Sequence, residues 1–209
     1  NYVDAWTAVP FLRYIWNTLY VTFWQMLIQT VVGVLAAYGF ARGRFPGKNV
    51  LFLIVLSAMM IPSQVTFIPL YVLIAKLNWV DTLSGLILPG TVSAYMIFML
   101  RQNFMSVDQS YLDAGRVDGL GILGTIRYVL IPMCKASVVT VSLVSFINGW
   151  NNYFWPKILS KSPETRLISV GLAQMKNIWQ DLSGTGYYNT IMAGVVISII
   201  PVVILFAFN

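Results

Sequence analysis

The chain has 209 residues, 58% of them hydrophobic and 10% charged, with a net charge of +6, one cysteine and no histidine. Ordinary soluble domains are about 45–50% apolar and about 25% charged, so a soluble core cannot hide this much apolar surface and the class is a polytopic, all-α integral membrane protein. The positive charge forms no basic run, which argues against nucleic-acid binding. Cys134 alone excludes an intramolecular disulfide or a cysteine-pair metal site, and the lack of histidine removes Ser-His-Asp and Cys-His nucleophile sets and the usual zinc ligands.

Asn1 to Pro10 is polar and aromatic and reads as an extramembrane lead-in. Tyr14 to Phe40 carries no charge and exceeds the roughly 20 residues a span needs, which predicts the first transmembrane helix. Asn17, Gln25 and Gln29 on it are polar; the last two share a face and read first as helix–helix hydrogen bonding, with a substrate role as the alternative. Ala41 to Asn49 is a short turn with Arg42, Arg44 and Lys48, marking the cytoplasmic side. Its Gly43, Gly47 and Lys48 are one residue short of a phosphate loop, and no Ser or Thr follows Lys48. Val50 to Ala75 is the second predicted span, with a kink or break expected at Pro62 or Pro69. Lys76 to Ser84 is an outer loop with Asp81. Gly85 to Leu100 is the third span, punctuated by Pro89, and Arg101 is expected to return the chain to the inside.

The loop that follows, 107–132, carries charge and glycine together. Ser110 with Asp113 makes a capping-box pattern, Gly119 is the expected helix end, and Asp113 can pair with Arg116. Gly119 and Gly121 permit a tight turn. A second short helix is expected from Ile122 until Pro132 interrupts it. From spacing alone the stretch also fits an ordinary solvated loop.

Ala136 to Trp155 is the fourth predicted span. Its outer part sets Asn148, Asn151 and Asn152 among Trp150, Tyr153, Phe154 and Trp155. Such a cluster reads either as an interfacial aromatic belt or as a pathway lining whose rings cover sugar faces and whose amides match hydroxyls. The extracytoplasmic segment 157–189 is too polar to span; it reads as a partner-facing surface or a packed lid. Thr190 to Phe208 is the fifth span, with Pro201 inside it. Basic residues are nearly balanced across the two sides, so the short 41–49 turn sets the orientation, with the N-terminus out and the C-terminus in.

The central loop resembles the EAA loop of the membrane subunits of bacterial ABC transporters. Ala114, Asp118, Gly119 and Pro132 match that pattern; Asp113 stands for its Glu, and Gly115 and Leu120 for alanines. The similarity extends through 61–90, IFMLRQNFMSV, GWNNYFWP and MAGVVISIIPVVILF, the carbohydrate-uptake type that includes maltose and glycerol-phosphate permeases, second membrane subunit. Members have six spans, so the resemblance implies one span before Asn1 and a few residues after Asn209. It implies a single permease domain, 1–209, in a bacterial inner or plasma membrane. Two ATPase subunits, a paralogous permease subunit and an extracytoplasmic solute-binding protein would be its partners. This chain would bind no cofactor and perform no catalysis; ATP and Mg would sit on the ATPases, whose closure moves the loop. Asp113, Ala114, Gly115, Asp118, Gly119, Gly121 and Pro132 would form the coupling loop. The solute would be a sugar or polyol, with Asn148, Trp150, Asn151 and Asn152 as candidate pathway residues.

Two other classes compete. A secondary transporter or channel working without an ATPase normally carries ionisable groups within its spans, and the five predicted spans have none. A membrane-embedded enzyme would need a catalytic set that seven acidic residues, all in loops, do not supply.

Overall fold

The structure, a computed structural model, describes residues 2–180 and 187–207. The described residues are helical and include no strand. In chain order the helices are α1 (Tyr2–Ala8), α2 (Phe11–Arg42), α3 (Lys48–Ala58), α4 (Ser63–Lys76), α5 (Leu83–Ile87) with a 3₁₀ turn over Leu88–Gly90, and α6 (Ala94–Ser106). The central loop holds α7 (Gln109–Val117), α8 (Ile122–Thr125), a π-turn at Ile126–Leu130 and α9 (Ile131–Met133). Then come α10 (Lys135–Trp150), α11 (Phe154–Leu159), α12 (Ile168–Gln180) and α13 (Tyr187–Ala207). The predicted end of the last span at Phe208, and Asp181 in the outer segment, lie outside the described residues.

The helical class is as predicted, but most of the spans are interrupted. Among the residues whose side chains the structure describes, α2, at 32 residues, is the one continuous helix long and apolar enough to cross a membrane. The second predicted span is split at Met59–Pro62 into α3 and α4. Pro62 cannot donate a backbone hydrogen bond, and the amides of Met60 and Ile61 fold back onto the carbonyls of Ser57 and Ala58. Pro69, by contrast, is carried within α4. The third predicted span is a pair bent by 43°, Leu83–Gly90 against Ala94–Ser106. The helix itself continues past Arg101, with α6 running on to Ser106. The Arg101 guanidinium lies 4.0 Å from the Phe52 ring centre, and its Nε donates to the Phe40 carbonyl at 3.2 Å. The charge thus rests on an aromatic face and donates to a carbonyl while partly exposed.

By internal contacts the chain forms two compact units, one of Asn1–Trp24, Leu73–Leu88 and Phe146–Asn209, the other of Gln25–Val72 and Pro89–Ser145. The second unit has a core of Val34, Ala37, Met96, Leu100, Phe104, Leu112, Ile126, Leu130 and Val141, with Val107 and Cys134 at its margin. Gly33 lets Met96 approach α2: a Cβ there would lie 2.7 Å from the Met96 sulfur. Gln29 Nε2 donates to the Gly90 carbonyl at 2.8 Å, and Gln25 packs directly over Gly90. The amides of α2 therefore hydrogen-bond and pack against the 3₁₀ turn, as the first of the two sequence readings had it.

In the first unit α12 packs on α13, and Leu167, Ile168, Val170 and Met175 are buried. Asn17 Nδ2 donates to the carbonyls of Glu164 and Arg166 at 2.8 and 3.1 Å, and the Ile168 amide donates to Thr18 Oγ1. The described part of the outer segment is packed structure. Outward-facing apolar side chains line the rest of the long helices, among them Trp16 and Val31 on α2, Leu53 on α3 and Ile68 on α4, each more than half exposed. So much apolar surface is a hazard in water and the expected covering in lipid.

Candidate functional site

The central loop is a two-helix element. Its first helix starts two residues earlier than the sequence pattern suggests. Asp108, not Ser110, is the N-cap: its carboxylate accepts from the Ser110 amide at 2.8 Å and from the Ser110 hydroxyl at 2.6 Å. Those bonds, the hydroxyl's first, hold the Asp108 carboxyl below the usual range. Asp113 is therefore not a capping-box partner. It accepts from Gln109 Nε2 at 3.0 Å and from Arg116 at 2.7 Å, the latter the pair expected from sequence. Both Asp113 and Arg116 are exposed, so the pair orders the surface of α7 with little net stabilisation.

The end of α7 is a Schellman turn. The Leu120 amide donates to the Gly115 carbonyl at 2.9 Å and the Gly119 amide to the Arg116 carbonyl at 3.0 Å. Gly119 has φ +82°, where a Cβ is penalised. Leu120 folds back over Gly115, where a Cβ would sit 3.2 Å from Leu120 Cδ1. Gly121 differs from Gly119: its φ is −75° and nothing lies near its missing Cβ. Only one of the two predicted turn glycines is required by backbone geometry. Asp118 is exposed, and its carboxylate has no hydrogen bond to any described residue.

The second helix is not stopped by Pro132. It shifts to π geometry over Ile126–Leu130 and continues to Met133. A π-turn changes the hydrogen-bond register by one residue, which accommodates a proline that cannot donate. The break comes at Cys134, where Ile122–Met133 meets the helical stretch Lys135–Leu159 at 89°. The loop helix thus lies across the direction of the following apolar helix.

One side of the element is anchored. Leu112, Ile126 and Leu130 are buried in the core with Leu100, Phe104 and Val34. The other side is open: Val117 is 88% exposed, Leu123 71%, Tyr128 66% and Ile122 63%. Arg42 fixes the junction. Its Nη2 donates to the carbonyls of Phe104 and Val107 and its Nη1 to Gln109 Oε1, while Nε also reaches Phe104. One side chain at the end of α2 therefore satisfies the last carbonyls of α6 and grips the start of α7. The sequence signal for this role is the place of Arg42 in the last turn of a helix, directly before a glycine. Ser137 Oγ donates to Asn103 Oδ1 at 2.6 Å and ties α6 to α10.

The candidate pathway residues do not form one surface. Trp150 is buried, 5% exposed, and stacks on Phe146 at 5.9 Å. Its ring is committed to packing, which fits neither the interfacial belt nor a face open to solute. Asn148 and Asn151 are exposed and Asn152 half-buried; the Asn152 carbonyl accepts from Ser169 Oγ at 2.7 Å. Trp155 Nε1 donates to the Gly85 carbonyl at 3.2 Å.

A second ordered site was invisible to the sequence reading. Asp81, held at φ +58°, accepts from the amides of Lys161 and Ser162 and from the Thr165 hydroxyl. Partial burial raises its pKa, but the Thr165 hydroxyl and the two amides outweigh that and hold it at about 2. A group with a lowered folded-state pKa adds stability above its unfolded value, near 4, and loses it as pH falls towards 2. Asp81→Asn tolerates the same backbone and isolates the charge. We expect it to lower the melting temperature of the detergent-solubilised protein by a few degrees at pH 7. The difference should shrink only below about pH 4; a difference that instead grows on acidification contradicts the assignment.

A family model described as "Binding-protein-dependent transport system inner membrane component" matches residues 29–209. The chain is 30% identical over 194 residues to the arabinooligosaccharides transport system permease protein AraQ of Halalkalibacterium halodurans, covering 93% of this chain and 66% of that protein. It is 28% identical over 202 residues to the sn-glycerol-3-phosphate transport system permease protein UgpE of Brucella abortus, covering 97% and 71%. In structure it is similar to a chain of a bacterial ABC transporter involved in the import of the acidic polysaccharide alginate, with a TM-score of 0.85 and 26% identity over 99% of this chain and 76% of that one. The chain spans about two thirds of the length of these curated relatives. With all-helical architecture, lipid-suited apolar faces and a family match over most of its length, the chain belongs to the family of binding-protein-dependent transport system inner membrane components and is a membrane permease component of such a system.

Proposed function

We infer that this chain is one of two paralogous membrane subunits of an ATP-driven importer of sugars or related polyols, and that loop 107–132 receives the movement of a partner ATPase. The observation that carries this reading is the two-sidedness of the loop. Its back is locked into the core through Leu112, Ile126 and Leu130, while Val117, Ile122, Leu123 and Tyr128 are left uncovered outside the apolar helices. A rigid element with an unpartnered apolar face is suited to being pushed as a body by a protein seated on that face.

Gly119 sets the angle between the two loop helices, and Asp118, Asp113 and Ala114 lie on its exposed side for contact with the partner. Gly115 and Pro132 shape the element, and Gly121 stands at the N-cap of its second helix. ATP and Mg belong to two such ATPases, and an extracytoplasmic binding protein delivers the solute. The sugar class rests on the relatives' names, which refer to arabinooligosaccharides, glycerol phosphate and alginate. Asn148 and Asn151 remain the amides available to a solute; Trp150 supports them from within the packing.

The test is reconstitution of the full-length chain, co-expressed with its neighbouring transport genes, in proteoliposomes. Labelled oligosaccharide or glycerol 3-phosphate should accumulate only with ATP and the binding protein present. Uptake by this chain alone, without ATP, would replace this reading with that of a secondary transporter.

A further inference from the structure

A cavity of about 460 Å³ lies at the α11–α12 corner of the first unit. That is within the range of small-molecule sites. Two of its walls are cationic, Lys157 and Arg166. Arg166 Nη2 donates to the Lys161 carbonyl at 2.9 Å and Nη1 to the Tyr14 hydroxyl oxygen at 3.4 Å, so its partners are neutral. Its Nε is buried and has no hydrogen bond to any described residue. The Lys157 ammonium lies 5.2 Å from the Tyr153 ring centre. Neither cation has a carboxylate partner among the described residues: Glu164 is paired with Arg13 at 3.4 Å, and Asp81 is occupied by the amides of the 161–162 turn.

The rest of the lining suits a hydroxylated body. Ser160 spends its hydroxyl hydrogen on the Pro156 carbonyl at 2.6 Å, which leaves its lone pairs to accept. Gln174 offers an amide, and Tyr153 and Val170 give apolar faces. We propose that this cavity is a binding site for a sugar-sized solute bearing one anionic group, a carboxylate or a phosphate, held between Lys157 and Arg166. A neutral sugar would leave the two lining cations without a counter-charge, whereas an anionic group can accept charge-assisted bonds from both. The role of the site in import rests on the function inferred above; its chemistry does not.

The experiment is calorimetric titration of the full-length chain in lipid nanodiscs, with the subunits that co-purify with it and without ATP. The probes are glucuronate, glycerol 3-phosphate and neutral glucose. At least one charged probe should bind about tenfold or more tightly than glucose, and Lys157→Gln should remove that preference. Lys157 is exposed and its ammonium makes no hydrogen bond or ion pair with a described residue, so this variant should leave the fold in place; Arg166→Lys should weaken the charged probe further by losing the planar fork. Charged and glucose probes behaving alike, no binding included, overturns the site, as does a preference that survives Lys157→Gln. ATP-driven uptake measured on the same preparation separates the two ideas. Uptake without selective anion binding sinks the site alone, and selective binding without ATP-driven uptake sinks the importer reading alone.

Discussion

Gly119→Pro should abolish ATP-driven uptake while the protein still inserts in the membrane. Proline fixes φ near −65° and removes the amide, whereas Gly119 needs φ +82° and its amide closes the Schellman turn on Arg116. Proline also disfavours the helical conformation of the residue before it, here Asp118 at φ −73°, ψ 4°. The combined local cost is about 3 kcal/mol or more, enough to undo the angle between α7 and α8. Gly119→Ala keeps the amide and meets only the left-handed penalty of about 1–2 kcal/mol, so its uptake should fall between the two. Gly121→Ser is the control: that position has an ordinary φ, open space and an N-cap role in which serine is favourable. Uptake assays on membranes with matched protein levels should rank wild type and Gly121→Ser together, then Gly119→Ala, then Gly119→Pro. Equal loss at 119 and 121 would mean that the turn geometry is not what matters.

Arg42→Ala should be the most damaging substitution of a charged residue on this chain. It removes the donors to the Phe104 and Val107 carbonyls and to Gln109 at once. Charge-assisted bonds of this kind contribute about 1.5–3 kcal/mol each when partly buried, and their loss strands acceptors as well. The expected result is a loop that no longer holds its position: a large fall in uptake and new protease sensitivity between Ser106 and Gln109. Arg42→Lys retains a charge but not the fork that spans two carbonyls and an amide, so it should recover uptake only in part. Full activity of Arg42→Ala would show that the buried side of the loop suffices without this clamp.

These positions also show what the sequence could and could not tell. The helical class, the long first span, the break near Pro62 and the Asp113–Arg116 pair were legible because each follows from local chemistry: apolar run length, a missing amide, a three-residue spacing. The central loop was legible through its glycine and its resemblance. Gly121 was misjudged because a glycine's φ is not written in its identity. The start of α7 was misplaced because Asp108 and Ser110 are both good caps, and only the geometry shows which carboxylate accepts. Pro132 was read as a stop because the π-turn that absorbs it depends on the packing of Ile126 and Leu130. The Asp81 clamp and the Arg42 clamp join residues 80 and 62 or more positions apart, and no periodicity within one segment encodes such pairings. Trp150 looked like a belt or pathway residue because its neighbours are polar; its burial is set by Phe146 one turn away.

The most direct measurement of the central claim is accessibility of the loop in the assembled transporter. Val117 is 88% exposed and the native Cys134 is buried, so Val117→Cys places a reactive thiol on the open face, read against the unsubstituted full-length chain as background. The full-length variant should react quickly with a bulky maleimide when purified without an ATPase, and at least tenfold more slowly when the ATPase is bound, since an occupied face excludes the reagent. Equal labelling rates with and without a stably bound ATPase would contradict the account: the ATPase would then be seated elsewhere, and loop 107–132 would not be the element it moves.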